Sequence, residues 1–160
     1  MGKESGEKLS VFQNYRMVQK GHLDINGLFA VLPKWFGGFE YDYWESGMGQ
    51  KDIGIGKEYT SDWKGVREIN DYVKFEIIVK VFIKNINKAK DPNVVHAETE
   101  VYINSAMYKN HMGTFGKDKF QETLRRIYER YVRYQDLIDY EDKLAFECVD
   151  LLNLIKSHFK

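Results

Sequence analysis

The fold is decided by residues 73–84, VKFEIIVKVFIK. Apolar side chains occupy every second position of this stretch from Val73 to Ile83, and four of the six alternate positions carry charge. Because successive side chains of a β-strand point to opposite faces, this pattern predicts a strand with one buried face. A turn-forming segment follows, and residues 94–105 repeat the alternation. The two strands, over 72–85 and 94–105, should therefore pair antiparallel.

Further strands are expected upstream. Residues 11–20 alternate loosely and suit a first strand. Alternating aromatic and acidic residues begin at Phe39, and a glycine-rich turn from Gly47 to Asp52 would lead into a second arm around 53–59. A short strand around 63–70 would follow. The sequence thus predicts an antiparallel sheet of about five to six strands.

Helices are predicted at both ends of this sheet. Asp24 is placed to cap a helix, and Pro33 interrupts the pattern, which predicts two short helices over 25–31 and 33–37, or one kinked helix. Residues 117–160 contain neither glycine nor proline, and Asp118 with Gln121 resembles a capping box. Apolar residues recur there at 3- and 4-residue spacing with one polar intrusion, Glu141, which predicts a long C-terminal helix or a helical hairpin. The recurring set is Phe120, Leu124, Ile127, Tyr131, Tyr134, Ile138, Ala145, Cys148, Leu152, Ile155 and Phe159.

These elements make one α+β domain over 1–160, with a flexible N-terminus at 1–8 and a helical segment at 117–160. Their order along the chain resembles that of the helix-grip architecture, in which an antiparallel sheet curls around a long C-terminal helix. This resemblance implies a space between the sheet and the terminal helix in which an apolar ligand can bind.

Composition excludes several classes of protein. The 160 residues are 43% hydrophobic and carry 24 basic and 24 acidic side chains, which argues against intrinsic disorder and removes a generic attraction to nucleic acid. The single cysteine rules out an internal disulfide and favours a cytoplasmic location. No run of 18 apolar residues occurs, so we expect no contact with a membrane.

No standard catalytic motif is present, and the chain is interpreted as a binding protein rather than an enzyme, without cofactor or metal. An enzyme that uses Asp or His as acid and base in a cavity stays open. The histidines lack ligand spacing, and Cys148 lies on the apolar stripe, where a buried, inert thiol is expected. The glycines between Gly47 and Lys57 fit a hairpin better than a phosphate loop, because no helix follows them.

The densest aromatic stretch spans residues 35–44. It is interpreted either as core or as the lining of a cavity for an apolar small molecule, in which Tyr hydroxyls and nearby acids would orient the guest. Base stacking is disfavoured because acids rather than cations accompany these rings. The residues assigned to a ligand cavity are Trp35, Tyr41, Tyr43 and Trp44, with Phe75 and Ile77 from the inner face of the central strand.

A lysine-rich segment has the opposite character. Residues 74–90 hold five lysines and one acid, on the outer face and tip of the predicted hairpin. Lysines on a strand usually provide solubility, yet lysines beside apolar side chains also suit a protein or ribonucleoprotein partner. The residues assigned to that partner surface are Lys80, Phe82, Lys84, Lys88 and Lys90.

The C-terminal segment separates its charges. Residues 117–133 hold six basic and three acidic side chains, and residues 136–150 hold six acidic ones and Lys143. Antiparallel pairing about residues 134–135 would place Arg133 near Asp136 and Arg130 near Asp139, either in a homodimer or in a helical hairpin. Arg126, Arg130 and Arg133 are assigned to the same partner surface. Binding or assembly with a protein or ribonucleoprotein is therefore the favoured function, and an apolar small-molecule binder is the alternative.

Overall fold

The computed structural model describes residues 7–53, 56–88, 94–112, 115–116 and 118–159. Within these ranges the chain forms one antiparallel sheet and three helices, an α+β arrangement as predicted. In chain order the elements are β1 (Glu7–Leu23), α1 (Ile25–Gly38), β2 (Asp42–Ile53), β3 (Gly56–Glu68), β4 (Val73–Lys88), β5 (Val95–Lys109), α2 (Lys119–Tyr131) and α3 (Tyr134–Lys156).

The sheet has the strand order β1-β5-β4-β3-β2, and every neighbouring pair is antiparallel. β4 lies at the centre, where Val79 is the register partner of Trp63 on β3 and of Ile103 on β5. The predicted pairing of the two alternating stretches is thus confirmed. Alternate residues of β4 from Val73 to Ile83 are buried, as the period-2 pattern requires.

The described sheet has five strands, within the predicted five to six, but the bounds of the outer strands differ from the prediction. The turn expected from Gly47 to Asp52 is wrong: these residues continue β2, and the register moves from Ser46 opposite Asp62 to Gly49 opposite Thr60. Glycines inside a strand commonly mark such an irregularity rather than a reversal. The segments 53–59 and 63–70 are largely one strand, β3, so the described sheet has five strands.

The N-terminal helix also differs. The prediction of two short helices over 25–31 and 33–37 is wrong, and the alternative of one helix is the one observed, because α1 contains Pro33 in its interior. The predicted cap is present, since the Asp24 carboxylate accepts a hydrogen bond from the Gly27 amide at 3.0 Å. Burial explains why the helix continues through the proline: residues on both sides of it, including Leu28 and Phe36, are fully buried against the sheet.

The C-terminal segment is broken at Val132 and Arg133. α2 and α3 approach each other only beside this break, so they do not pack along their length as a hairpin would. α2 begins at the predicted cap, where Asp118 accepts from the Gln121 amide at 2.7 Å, but none of its residues is buried. α3 packs on the same face of the sheet as α1.

A buried ion pair ties α3 to this inner face. Arg67 on β3 places Nη1 2.9 Å from Oε1 of Glu147 on α3, and Glu147 is only 1% exposed. The Tyr41 hydroxyl donates to the other carboxylate oxygen at 3.2 Å. The guanidinium lies over the rings of Tyr41 and Phe75, and it also donates to the carbonyl oxygen of Phe39.

We expect the loss of Arg67 to destabilise the protein strongly. Arg67→Met leaves the Glu147 carboxylate buried and without its cation, which should lower the free energy of unfolding by about 3–5 kcal/mol. Urea unfolding followed by circular dichroism measures this. The double variant Arg67→Met/Glu147→Leu also removes the unpaired carboxylate, so its free energy of unfolding should fall much less. If both variants lost the same free energy of unfolding, the unpaired charge of Glu147 would not be the cause of the loss.

A pair of glycine substitutions tests the packing between α1 and β3. A Cβ atom on Gly65 would lie 2.5 Å from a ring carbon of Phe36, whose ring stacks against Trp63 and Tyr43. Gly65→Ala should therefore cost on the order of 1–3 kcal/mol of unfolding free energy. Gly37→Ala, where a Cβ meets nothing within 4 Å, is the matched control and should be neutral or slightly stabilising. If the two variants changed the free energy of unfolding equally, the close contact with Phe36 would not be what makes Gly65 necessary.

Candidate functional site

A cleft of about 700 Å³ lies between the C-terminal helices and the end of the sheet. Its floor comes from β1 and β5, where Leu9 and Met107 are register partners. Its wall comes from both helices on either side of the break. The lining residues are Leu9, Met107, Lys109, Arg126, Glu129, Arg130, Tyr131, Tyr134, Leu137, Ile138 and Glu141.

Helical spacing explains how the wall forms. Positions three and four residues apart share one face of a helix, so Arg126 and Arg130 on α2 point to the same side. On α3 the same rule aligns Tyr134, Leu137 and Glu141. Because the floor is formed by strands whose paired residues lie about a hundred positions apart in the chain, the cleft exists only once β1 has joined β5.

A polar cluster fastens α2 to the end of the sheet. Glu129 accepts hydrogen bonds from Lys109 at 3.3 Å and from the hydroxyl of Tyr72. Glu7 on β1 pairs with Arg125 at 2.9 Å and with Lys109 at 3.7 Å. Burial and the bond to Glu129 raise the pKa of Tyr72, so its phenol stays protonated and remains a donor.

Two cations of the cleft lack a neutralising partner. Arg126 and Arg130 are exposed and form no ion pair within the described ranges. Arg130 lies over the ring of Tyr131, 5.6 Å from its centroid. Since Lys109 and Glu129 already bind each other, the charges that remain around the cleft are these two arginines and Glu141. The cleft therefore combines apolar walls with a net positive charge.

The arginines predicted from charge segregation thus separate into two groups. Arg126 and Arg130 line the cleft, but Arg133 does not. The Arg133 guanidinium donates to the Tyr128 hydroxyl at 2.7 Å and to Asp136 at 3.2 Å, so it holds the helix break. The predicted approach of Arg133 to Asp136 is a contact between neighbouring turns of one chain.

Leu9 and Met107 were not singled out by sequence reasoning. Helical spacing is a signal that would have connected Arg126 and Arg130 with Tyr134 on one face. No comparable signal exists for the floor, because the pairing of β1 with β5 joins residues about a hundred positions apart.

The aromatic residues assigned to a ligand cavity lie elsewhere. Trp35, Tyr41, Phe75 and Ile77 are buried in the main core, and Trp35 donates through Nε1 to Asp150 at 2.9 Å. Tyr43 and Trp44 are 40% and 48% exposed. None of these six residues lines the cleft, and their role in ligand binding stays a prediction.

The outer face of the sheet carries the lysine-rich surface. Lys80 and Lys84 are exposed there, and Phe82 meets the Tyr102 ring edge-on at 5.9 Å. Lys80 and Phe82 border a hollow of about 330 Å³, together with Tyr102, Asn14 and Asn104. The side chain of Lys88 and all of Lys90 lie outside the description, and a partner role for this surface stays a prediction.

Groups with the chemistry of catalysis are scattered. Cys148 is fully buried, and burial raises the pKa of its thiol to about 11. The rings of His22 and His96 meet edge-on at 5.5 Å, on strands β1 and β5. Among the described residues, no group of three or more His, Cys, Asp or Glu side chains is arranged to hold a metal ion.

Comparison with known proteins gives no matching family model, and neither curated proteins nor solved structures match the chain. Within the described ranges, no helix has the length and apolarity needed to cross a membrane.

We expect the Cys148 thiol to be unreactive in the native protein. With a pKa near 11, its thiolate fraction at pH 8 should be roughly a hundredfold below that of an ordinary cysteine, and burial also blocks access. Ellman's reagent should therefore label it only after unfolding. Lys20→Cys, at an exposed position, supplies the control and should add one fast equivalent. Rapid labelling of the native, unsubstituted chain would contradict this expectation.

Proposed function

We propose that the protein binds a small amphipathic anion, with an apolar body and one acidic head group, in the cleft between the sheet and the C-terminal helices. The observation that carries this proposal is the combination of apolar walls with two arginines that lack ion pairs among the described residues. The proposal assigns the protein no reaction. It keeps the predicted position of a ligand beside the terminal helices but moves the binding residues away from the aromatic core.

The apolar walls favour a guest with a hydrocarbon body. Leu9, Met107 and Leu137 supply apolar side chains to the floor and to one wall, beside the charged residues of the lining. Covering such walls removes apolar area from water, which supplies most of the binding free energy for guests of this kind. A volume of about 700 Å³ also falls within the usual range for small-molecule sites.

The charges favour an acidic head group. Arginine binds carboxylate and phosphate oxygens through two parallel hydrogen bonds, and Arg126 and Arg130 lie one helical turn apart. Glu141, on the α3 wall, disfavours a second negative charge there. A cationic guest with the same body would meet two arginines, and it should bind more weakly for that reason.

The proposal is tested by comparing guests that share a body and differ in head group. Isothermal titration calorimetry measures the preference with dodecanoate and dodecyltrimethylammonium, each below its micelle concentration, and with dodecanol below its solubility limit. We expect dodecanoate to bind most tightly. Arg126→Ala/Arg130→Ala should raise its dissociation constant at least tenfold, because the paired hydrogen bonds to the head group are lost.

Two further variants make the test specific to the cleft. Leu137→Trp should weaken the binding of dodecanoate, because the larger side chain fills space along the wall of the cleft. Lys80→Ala/Lys84→Ala removes two cations from the outer face and should leave dodecanoate binding unchanged. Equal affinity for the cationic guest, or equal weakening by the lysine and arginine variants, would overturn the proposal.

A second candidate function is contact with a protein or ribonucleoprotein partner through the outer face of the sheet. The observation that favours it is the hollow where Lys80 adjoins the Phe82 and Tyr102 rings. Nearby cations are partly neutralised, since the Glu100 carboxylate accepts bonds from Tyr102 and Arg16, and both bonds lower the pKa of Glu100. Because of this neutralisation, the nonspecific attraction of the surface to RNA is weaker than the number of lysines alone indicates.

A further inference from the structure

The two C-terminal helices expose a stripe of large apolar side chains. Phe120, Tyr131 and Phe146 are 70%, 74% and 71% exposed, and α2 buries no residue at all. A contiguous apolar surface of this kind on a folded protein usually marks a contact with another molecule. The stripe consists of Phe120, Leu124, Ile127, Tyr131, Ile138, Phe146 and Val149.

The spacing of the stripe indicates that a helix covers it. Within α2, Phe120, Leu124, Ile127 and Tyr131 follow one another at intervals of four, three and four residues. After the break, Tyr134 and Ile138 on α3 are again four residues apart. This is the heptad spacing by which helices pack side by side. Along α3 the buried residues, among them Leu144 and Leu151, face the sheet, so Phe146 and Val149 project away from it.

The charges of α2 and α3 indicate which molecule supplies the helix that covers the stripe. α2 is mainly basic, and the first half of α3 is mainly acidic. A partner that runs antiparallel and presents acids beside α2 and bases beside α3 would complement both. The same pair of helices in a second copy, turned by a two-fold axis, has this arrangement of charges.

We propose that the protein forms a two-fold symmetric homodimer through this stripe, with the helices antiparallel and the axis close to Tyr134 and Gln135. This register places Phe120 opposite the second copy's Val149, Leu124 opposite its Phe146 and Tyr131 opposite its Ile138. Exposed apolar residues of α2 thus meet exposed apolar residues of α3 at three of four levels, and at the fourth level Ile127 lies opposite Asp142 of the second copy.

The polar flanks agree with the same register. Arg130 lies opposite the second copy's Asp139, and Lys119 lies opposite its Asp150. Both cations are exposed. The dimer contact and the ligand cleft overlap in part. Phe120, Leu124, Phe146 and Val149 do not line the cleft, whereas Arg130, Tyr131, Tyr134 and Ile138 belong to both surfaces.

Light scattering coupled to size exclusion tests the dimer directly. At 50 µM we expect twice the 18.9 kDa chain mass, and Phe120→Glu/Leu124→Glu should give the monomer with unchanged helix content by circular dichroism. A monomeric mass for the unsubstituted chain would overturn the proposal. So would a dimer that the double substitution leaves intact.

Two further measurements test the register. Arg130→Glu and Asp139→Arg should each raise the dimer dissociation constant at least tenfold, and the double variant, which restores opposite charges across the axis, should recover most of the loss. Tyr134→Cys should form a disulfide-linked dimer on mild oxidation, because the axis brings the two copies of position 134 together. The exposed Lys20→Cys, on β1, should not. Crosslinking of both variants to the same extent would overturn the register.

Discussion

The position of α3 depends on the buried ion pair between Arg67 and Glu147. An uncompensated carboxylate in the core costs several kcal/mol, so Glu147 restricts where α3 can rest on the sheet. Its partners come from separate parts of the chain: Arg67 from β3, Tyr41 from the corner after α1, and the ring of Phe75 from β4 through its contact with Arg67. Rotating or sliding α3 would break the contacts of Glu147 with Arg67 and Tyr41 together. The N-terminal part of α3 forms a wall of the cleft, so the ion pair positions that wall as well.

Local patterns in the sequence predicted the centre of the fold well. The alternation in β4 and β5 gave the buried faces correctly because both strands pack one face against helices. The predictions failed where tertiary packing overrides a local signal. Pro33 stays inside α1 because the residues around it are buried, and the glycines near residue 47 are absorbed by an irregularity within β2. Neither outcome can be read from neighbours in sequence.

The candidate site was only partly predictable for a related reason. Charge counting drew attention to Arg126 and Arg130, which do line the cleft, but it also counted Glu147 among the solvent-facing acids of α3. Glu76 is a similar case: it was placed on the outer face of the sheet, yet it is only 5% exposed, beside Lys64 and Tyr108. A periodic pattern gives the side of an element on which a residue lies, whereas its burial depends on which distant strand or helix lies alongside.

The absence of buried residues in α2 has a consequence for how the two proposed contacts influence each other. α2 buries no residue and is held by its cap, by the contact of Tyr128 with the core and by the polar cluster around Glu129. With so few buried contacts, we expect α2 to open before the sheet does. A ligand in the cleft or a second copy of the chain stabilises the closed helix, so the other then binds to an already ordered helix, which favours positive coupling through conformational entropy. Because Arg130 belongs to both proposed contacts, the ligand head group and the second copy's Asp139 compete for one guanidinium, which acts in the opposite direction.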